Sequence, residues 1–437
     1  MKINKLPYFA ALMLAIFLYV GPSHAWKMEA GEVYVYSTYS NPTNPTEKSF
    51  LWGSVGGDAF DATPLVFILP SNNGGNPAAI RFDDGQISTT SFKAMVVEPE
   101  TEDGEHLEME VAYFAIEPGS HTLPNGKRIE ANSVDLDKDI QCENSMSCTR
   151  TWHQVTFPEA FNSQPVVLGQ IQSMNNVASG SNPPESTLEP WATTAIRNIT
   201  NSGFEIALER SSVDDSGLNG SGYFPEDETI AWVAFEEVTV DSFDAFNESG
   251  QSTTISYEAG LLGGVDGWDN NCDTFGYSGT YSATPLILAT KSSRDDDDGG
   301  WLRVCSPNFF SFGLTIDEDR FDDSERSHPD EDVSIFIFGE PFYAEFGASG
   351  SLEVDPTEIY ANDGFWVTVV DADENLDPNA VDSFPIQIIN QTTLETETPI
   401  VEENGTNSGE FNVWVWTWYG TGGGFNGDGG FEVEENQ

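Results

Sequence analysis

Two arginine–histidine pairs recur at matching places in this chain, Arg81 with His106 and Arg303 with His328. Each histidine stands five residues ahead of an alternating apolar run, at Val111 or Val333, and each arginine just before a turn. Acids accompany both pairs: Glu102, Asp103 and Glu105 near the first, Asp323, Glu325 and Asp330 near the second. Convergent donors and acceptors of this kind suit sugar hydroxyls, and a flat aromatic suits the apolar face of a sugar ring. Trp301 is the nearest such platform beside the later pair, and Trp191 lies in the stretch between the two. The same side chains equally make a salt-bridge network that holds loops together. Both readings stand at this level. The intervening stretch has Ala195 and Pro225 at the corresponding positions, with Arg197 two residues on and so on the same face of a strand.

Oxygen-rich segments raise the question of calcium. Asp371, Asp373, Asn375 and Asp377 alternate along one turn, as oxygen ligands do in an EF-hand loop, but Leu376 and Asp382 replace the glycine and glutamate that such a loop needs. Calcium there competes with a metal-free Asx-rich turn. A second acidic run, Asp295 to Asp298, reads as a calcium loop or a solvated one. Four cysteines in an exported chain pair by default, here as Cys142–Cys148 and Cys272–Cys305, and no CxxC or paired histidines favour zinc.

Catalysis finds little to stand on. No GxSxG nucleophile turn is present. The Arg and His positions repeat, whereas an active site usually occurs once, and the reading is a non-enzyme. Net charge is −55. That charge argues against nucleic acid and anionic lipid as partners, because binding to phosphate backbones relies on Lys and Arg. It fits a saline habitat or cation loading.

The first 25 residues, with Lys2 and Lys5, an apolar run from Leu6 to Val20 and Gly-Pro-Ser-His-Ala at the end, read as a secretory signal too short to span a bilayer. Residues 26–437 then make three or four domains of roughly 100–150 residues each. Aromatic content of 12% places the chain among folded proteins.

The elements that must position the arginines and histidines come from an internal repeat. An aromatic four residues before a proline occurs three times: Phe60 with Pro64-Leu65-Val66, Phe161 with Pro165-Val166-Val167, and Tyr281 with Pro285-Leu286-Ile287. Each is followed by a strand with a second aromatic, Phe92, Phe204 or Phe312, and then by an alternating run, VAYFAI, IAWVAF or VSIFIF. Alternation is the period of a half-buried strand. The expected fold is all-β: three antiparallel sandwich modules over 26–135, 136–245 and 246–345, a further sandwich over 346–420 and a mobile Gly-rich acidic tail over 421–437.

The stretches WHQVTFPEAF, QPVV, AIRNITNSGFEIALE and ETIAWVAFE of the second unit resemble the H-type lectin domain, and NPAAIRF, EPETEDGEHLEMEVAYFAIEPG and LPNG of the first are similar to a variant of it repeated in large bacterial surface proteins, some linked to pili, a resemblance that runs from about residue 45 to 342. The resemblance implies a six-stranded sandwich, GalNAc-like glycans as ligands, an arginine and a histidine near the sugar, and a common trimeric state. From Gly347, the DxDxN stretch and Gly409-Glu410-Phe411 resemble immunoglobulin-like modules of prokaryotic surface proteins. The expectation is thus a secreted or surface carbohydrate-binding protein, with a homo-oligomer or pilus or surface assembly in view. The alternative is a structural stalk without glycan affinity.

Overall fold

The computed structural model describes residues 14–17, 25–37, 46–56, 59–82, 86–98, 102, 106–138, 152–175, 192–210, 223–296, 299–318, 326–347, 351–355, 362–371, 380–390, 395–406, 408–419, 427 and 429–433. It is 63% strand and 2% helix, in antiparallel sheets, and so is an all-β sandwich protein. Two compact units are present, Lys27–Ala344 and a second made of Met1–Trp26 with Glu345–Gln437.

The larger unit holds three modules of one topology. In each, an opening strand (Trp26–Ser37, Arg128–Lys138, Ser252–Val265) and an inner strand (Leu65–Ile68, Val166–Ile171, Leu286–Lys291) flank a closing strand (His106–Ile116, Tyr223–Phe235, Glu331–Phe338). A small sheet packs against them, with orders Thr46–Ser49/Ser91–Val97/Ala79–Phe82, His153–Thr156/Gly203–Arg210/Ala192–Thr200 and Asp273–Gly276/Ser311–Asp317/Trp301–Cys305. Registers match across copies: Phe67 faces Phe114, Leu168 faces Val233 and Leu288 faces Phe336. Each module has its own core, around Phe92 and Tyr113, Phe204 and Trp232, or Phe312 and Ile335.

The modules are joined by exchange of strands. After each closing strand comes a trailing strand, Gly119–Thr122, Val238–Asn247 or Phe342–Phe346, that pairs with the opening strand of the following module. The last of them returns to the first module's opening strand, and Tyr343 joins that module's core beside Trp52, with ring centroids 4.9 Å apart. The order is therefore a closed ring. Where the inner strands meet, Phe114, Phe235, Phe336 and Phe338 from three modules pack at 5.1–6.3 Å.

This packing corrects one expectation. The closing strands are buried on both faces, because the face turned away from each module's own core is covered by the other modules. Their apolar runs are nearly continuous for the reason parallel-sheet strands are. The inner strands are edge strands with free backbone groups, and neighbours cap them: Gln172 bonds both backbone groups of Val66 at 2.9 and 2.8 Å, and Ser334 Oγ accepts from Val167 N at 3.1 Å. The expected 135/136 and 245/246 divisions fall inside the strands Arg128–Lys138 and Val238–Asn247, near the hairpin turns at Leu123–Lys127 and Asn247–Gln251.

The second unit is a sheet of Ser351–Asp355, Gly364–Val370, Glu410–Tyr419, Ile400–Glu403 and Ser383–Pro385 over a core of Phe365, Val367, Ile388, Phe411 and Val415. Within the stretch expected as a mobile tail, Gly430–Val433 instead pairs in parallel with Glu410–Tyr419, and Phe431 is buried in the core. Of the expected signal segment, Leu14–Phe17 pairs with Gln387–Asn390, and the other residues before Ala25 lie outside the described residues. No helix among the described residues is long and apolar enough to cross a membrane.

Candidate functional site

The arginines of the repeat lie at the junctions between modules. Arg81, 1% exposed, donates through Nη2 to Ser173 O at 2.9 Å and to Glu228 at 3.1 Å, both in the second module. Arg303, 0% exposed, spends its guanidinium on the first module's loop: Nε on Ser71 O at 2.9 Å, Nη1 on Asn76 O at 3.0 Å and Nη2 on Asn73 O at 3.0 Å. Its charge is met within its own module by Asp317 at 2.6 Å. Arg326 adds a bond to Gly75 O at 2.9 Å and a second pair to Asp317, and Trp268 lies under both guanidinium groups, 4.8 and 4.1 Å from its ring. Burial pushes the pKa of Arg81 and Arg303 down, opposed by Glu228 and Asp317 respectively.

At the remaining junction the polarity is reversed. The register that aligns Arg81 with Arg303 puts Ala195 in the second module, and the grip passes to Glu209, which aligns with Asp317. Glu209 accepts from Lys291 and Arg294 of the third module, each at 3.0 Å. In all three cases the small sheet of one module grips the loop after the next module's inner strand.

The histidines stand behind those loops. His106 is buried beside Gly74, hydrogen-bonded to Leu107 O at 2.9 Å, and feels the charges of Arg303 and Asp317. His328 is held by Glu318 at 2.5 Å and Glu331 at 3.1 Å, with Asp296 at 3.5 Å. Glu331 in turn binds the loop through Ser293 Oγ and, at 3.0 Å, the backbone N–H of Asp295. Burial lowers His106. Burial also works against charge on His328, but the two glutamates outweigh it and raise its pKa. Burial likewise opposes charge on Glu331, yet His328, Lys291 and Ser293 bring its pKa down to about 2.

These positions correct the expected grouping. Arg81 with His106, and Arg303 with His328, do not form two equivalent open sites. Arg303 and His106 share one junction, Arg81 works at another, and His328 backs the loop that Glu209 grips. Trp301 is also buried, packed against Ala79, Met95 and Val97 of the first module. A sugar at any of these atoms would have to pry adjacent modules apart. The void where the inner strands meet, about 30 Å³ and lined by Ile68, Gly169 and Ala289 among others, has room for a water or two.

Several residues went unread in the sequence. Arg326 is one. Another is the tripeptide Glu-Ala-Gly/Asn at the start of each module, Glu29, Glu130 and Glu258, which occupies equivalent registers opposite Ala115, Ala234 and Ile337. Glu29 accepts from Leu51 N, Trp52 N and Tyr113 OH, and Glu258 from Ser278 N, Gly279 N and Tyr281 OH, so each ties a loop to its module. Burial pushes Glu29 up to about 7. Ser173 with Glu228 and Ser293 with Glu331 form a further matching pair.

The disulfide Cys272–Cys305 is present, while Cys142 and Cys148 lie outside the described residues. It ties the two edge strands of the third small sheet, Asp273–Gly276 and Trp301–Cys305, passing over Gly313 of the central strand, where a Cβ would meet the Cys305 Cβ at 2.9 Å. The second module has Trp152 and Arg197 at these two positions, stacked at 3.9 Å, with Glu205 in place of the glycine bonding Arg197 at 2.7 Å. Among the described residues, Asp296, Glu318 and His328 could hold a cation, with ligand atoms within 4.8 Å of one another. Asp371 is buried, its N–H bonded to Gly409 O at 2.8 Å, whereas Asp373, Asn375, Asp377 and Trp191 lie outside the described residues.

Neither a family model nor a solved structure matches the chain. Among curated proteins it is similar to Halomucin of Haloquadratum walsbyi, 23% identical over 305 residues, an alignment that takes 69% of this chain and only 3% of that protein's length.

Proposed function

We propose that this chain belongs to an exported, non-catalytic surface protein in which Lys27–Ala344 is a rigid three-module building block. The observation that carries this reading is the commitment of the repeated charged side chains to junctions: Arg81, Glu209 and Arg303 are buried and each grips the next module's loop. Breaking one partner of such a buried pair costs about 3–5 kcal/mol, so the modules hold one geometry. The six strands per module fit the H-type lectin resemblance, and a chain carrying three copies supplies by itself what a trimer assembles from three. The acidic balance, with 72 acidic against 17 basic residues, and the similarity to Halomucin support a saline extracellular setting. The C-terminal unit is the appended immunoglobulin-like module of this reading.

Calorimetry of the full chain tests it. The ring is expected to melt in one transition whose calorimetric and van't Hoff enthalpies agree, separate from that of the C-terminal unit. Three independent module transitions would contradict the proposal.

A further inference from the structure

The C-terminal unit carries a feature that the ring does not explain. Along Glu410–Tyr419 the side chains alternate strictly, with Phe411 and Val415 turned into the core and Trp414, Trp416 and Trp418 turned out. Trp366, directly opposite Trp414 on the neighbouring strand, joins the same face. Trp416 is 52% exposed, Trp366 48% and Trp418 42%. An isolated exposed apolar residue is ordinary, but a contiguous row of indoles in water marks a contact surface.

The row is built rather than accidental. Trp414 stands edge-on to both Trp366 and Trp416, at 5.3 and 5.7 Å, a favoured aromatic geometry that fixes the rings. The two flanking strands place glycine where the indoles need room: a Cβ on Gly364 would meet Trp414 at 2.6 Å, and one on Gly430 would meet Trp418 at 2.5 Å. Same-face residues on a strand repeat every ~6.8 Å, so Trp414, Trp416 and Trp418 span about 14 Å in a line. A line suits an extended, repeating ligand better than a compact one.

Polar groups beside the row decide the chemistry. Thr368 and Asn412, bonded to each other at 2.7 Å, continue the same face, and the exposed Asp355 and Glu402 lie opposite Trp366 and Asn412 on adjacent strands. These are acceptors and an amide, suited to hydroxyl groups. They repel anionic polymers, and nucleic acid above all. We infer that the Trp366–Trp414–Trp416–Trp418 face binds a neutral polysaccharide chain, whose sugar rings stack on the indoles while hydroxyls bond the flanking carboxylates and Asn412.

Affinity electrophoresis of the full chain in gels containing hydroxyethyl cellulose, xylan or mannan tests this, with alginate as the anionic control. Retardation is expected with at least one neutral polymer and not with alginate, and Trp416→Ala is expected to weaken it tenfold or more at an unchanged melting temperature. Trp416→Phe, which keeps a ring, should retain most of the binding and guards against a folding defect. No retardation by any neutral polymer, or full retention in a Trp416→Ala/Trp418→Ala variant, overturns the proposal. So does self-association of the wild-type chain in sedimentation that Trp416→Ala abolishes, which would make the face a protein interface. The ring reading rests on separate measurements of its cooperativity and survives any of these results.

Discussion

The ring and the C-terminal unit use tryptophan in opposite ways. Trp268 is clamped beneath Arg303 and Arg326, and Trp301 is sealed between modules, whereas Trp366, Trp416 and Trp418 are left facing water. In the ring an aromatic side chain is a means of burying charge at a junction. In the C-terminal unit it contributes little to the fold and is available to a partner. Burial, not residue type, separates a structural tryptophan from a recognition one.

The largest expected contrast compares those two uses directly. Trp268→Ala strips the support from two buried guanidinium groups and should cost about 3–5 kcal/mol, while Trp416→Ala should cost less than about 1 kcal/mol, both read from denaturant midpoints. Equal costs would erase the distinction. Next come the two staples at equivalent positions of the small sheets. Removing the disulfide with Cys272→Ala/Cys305→Ala frees a loop of 33 residues and should cost about 3–4 kcal/mol, whereas Arg197→Ala in the second module removes a half-exposed stack worth about 1 kcal/mol.

A pH titration sharpens the same theme. Glu29 has its pKa raised from 4.5 to about 7, so the folded state holds its proton more tightly than the unfolded chain does. Its contribution is complete below pH 4.5 and is lost as pH rises to about 7, a fall on the order of 3 kcal/mol. Glu29→Gln should flatten that region of the stability profile. Glu331, with its pKa near 2, acts in the other direction: its stabilisation is present above pH 4.5 and disappears as pH falls towards 2. His328, raised above 6.5, stabilises below that value and ceases to do so as pH climbs through its folded-state pKa.

Much of this architecture is legible in the residues. The repeated aromatic-x-x-x-Pro strands and the Phe92, Phe204 and Phe312 strands fall at equivalent places in three sandwiches, and Cys272 and Cys305 are bonded. The equivalence of Arg81, Ala195 and Arg303 also holds in the registers. What could not be read was which module each side chain serves. An arginine and a histidine in one copy look like partners in sequence, yet His106 backs the loop that Arg303 grips from another module. The half-buried appearance of VAYFAI and its counterparts misled for the same reason, since their second face is covered only once the ring has closed. The Glu-Ala-Gly/Asn tripeptide stands in the opening strand of each module, but a lone buried glutamate has no periodicity to announce it.

Hydrogen exchange on the Arg303→Ala variant tests the ring most directly. If the three modules are one cooperative body, protection should fall together in the closing strands His106–Ile116, Tyr223–Phe235 and Glu331–Phe338, by the same free energy of about 3–5 kcal/mol. Loss confined to Glu331–Phe338, with the other two strands unchanged, would show three independent sandwiches and contradict the account.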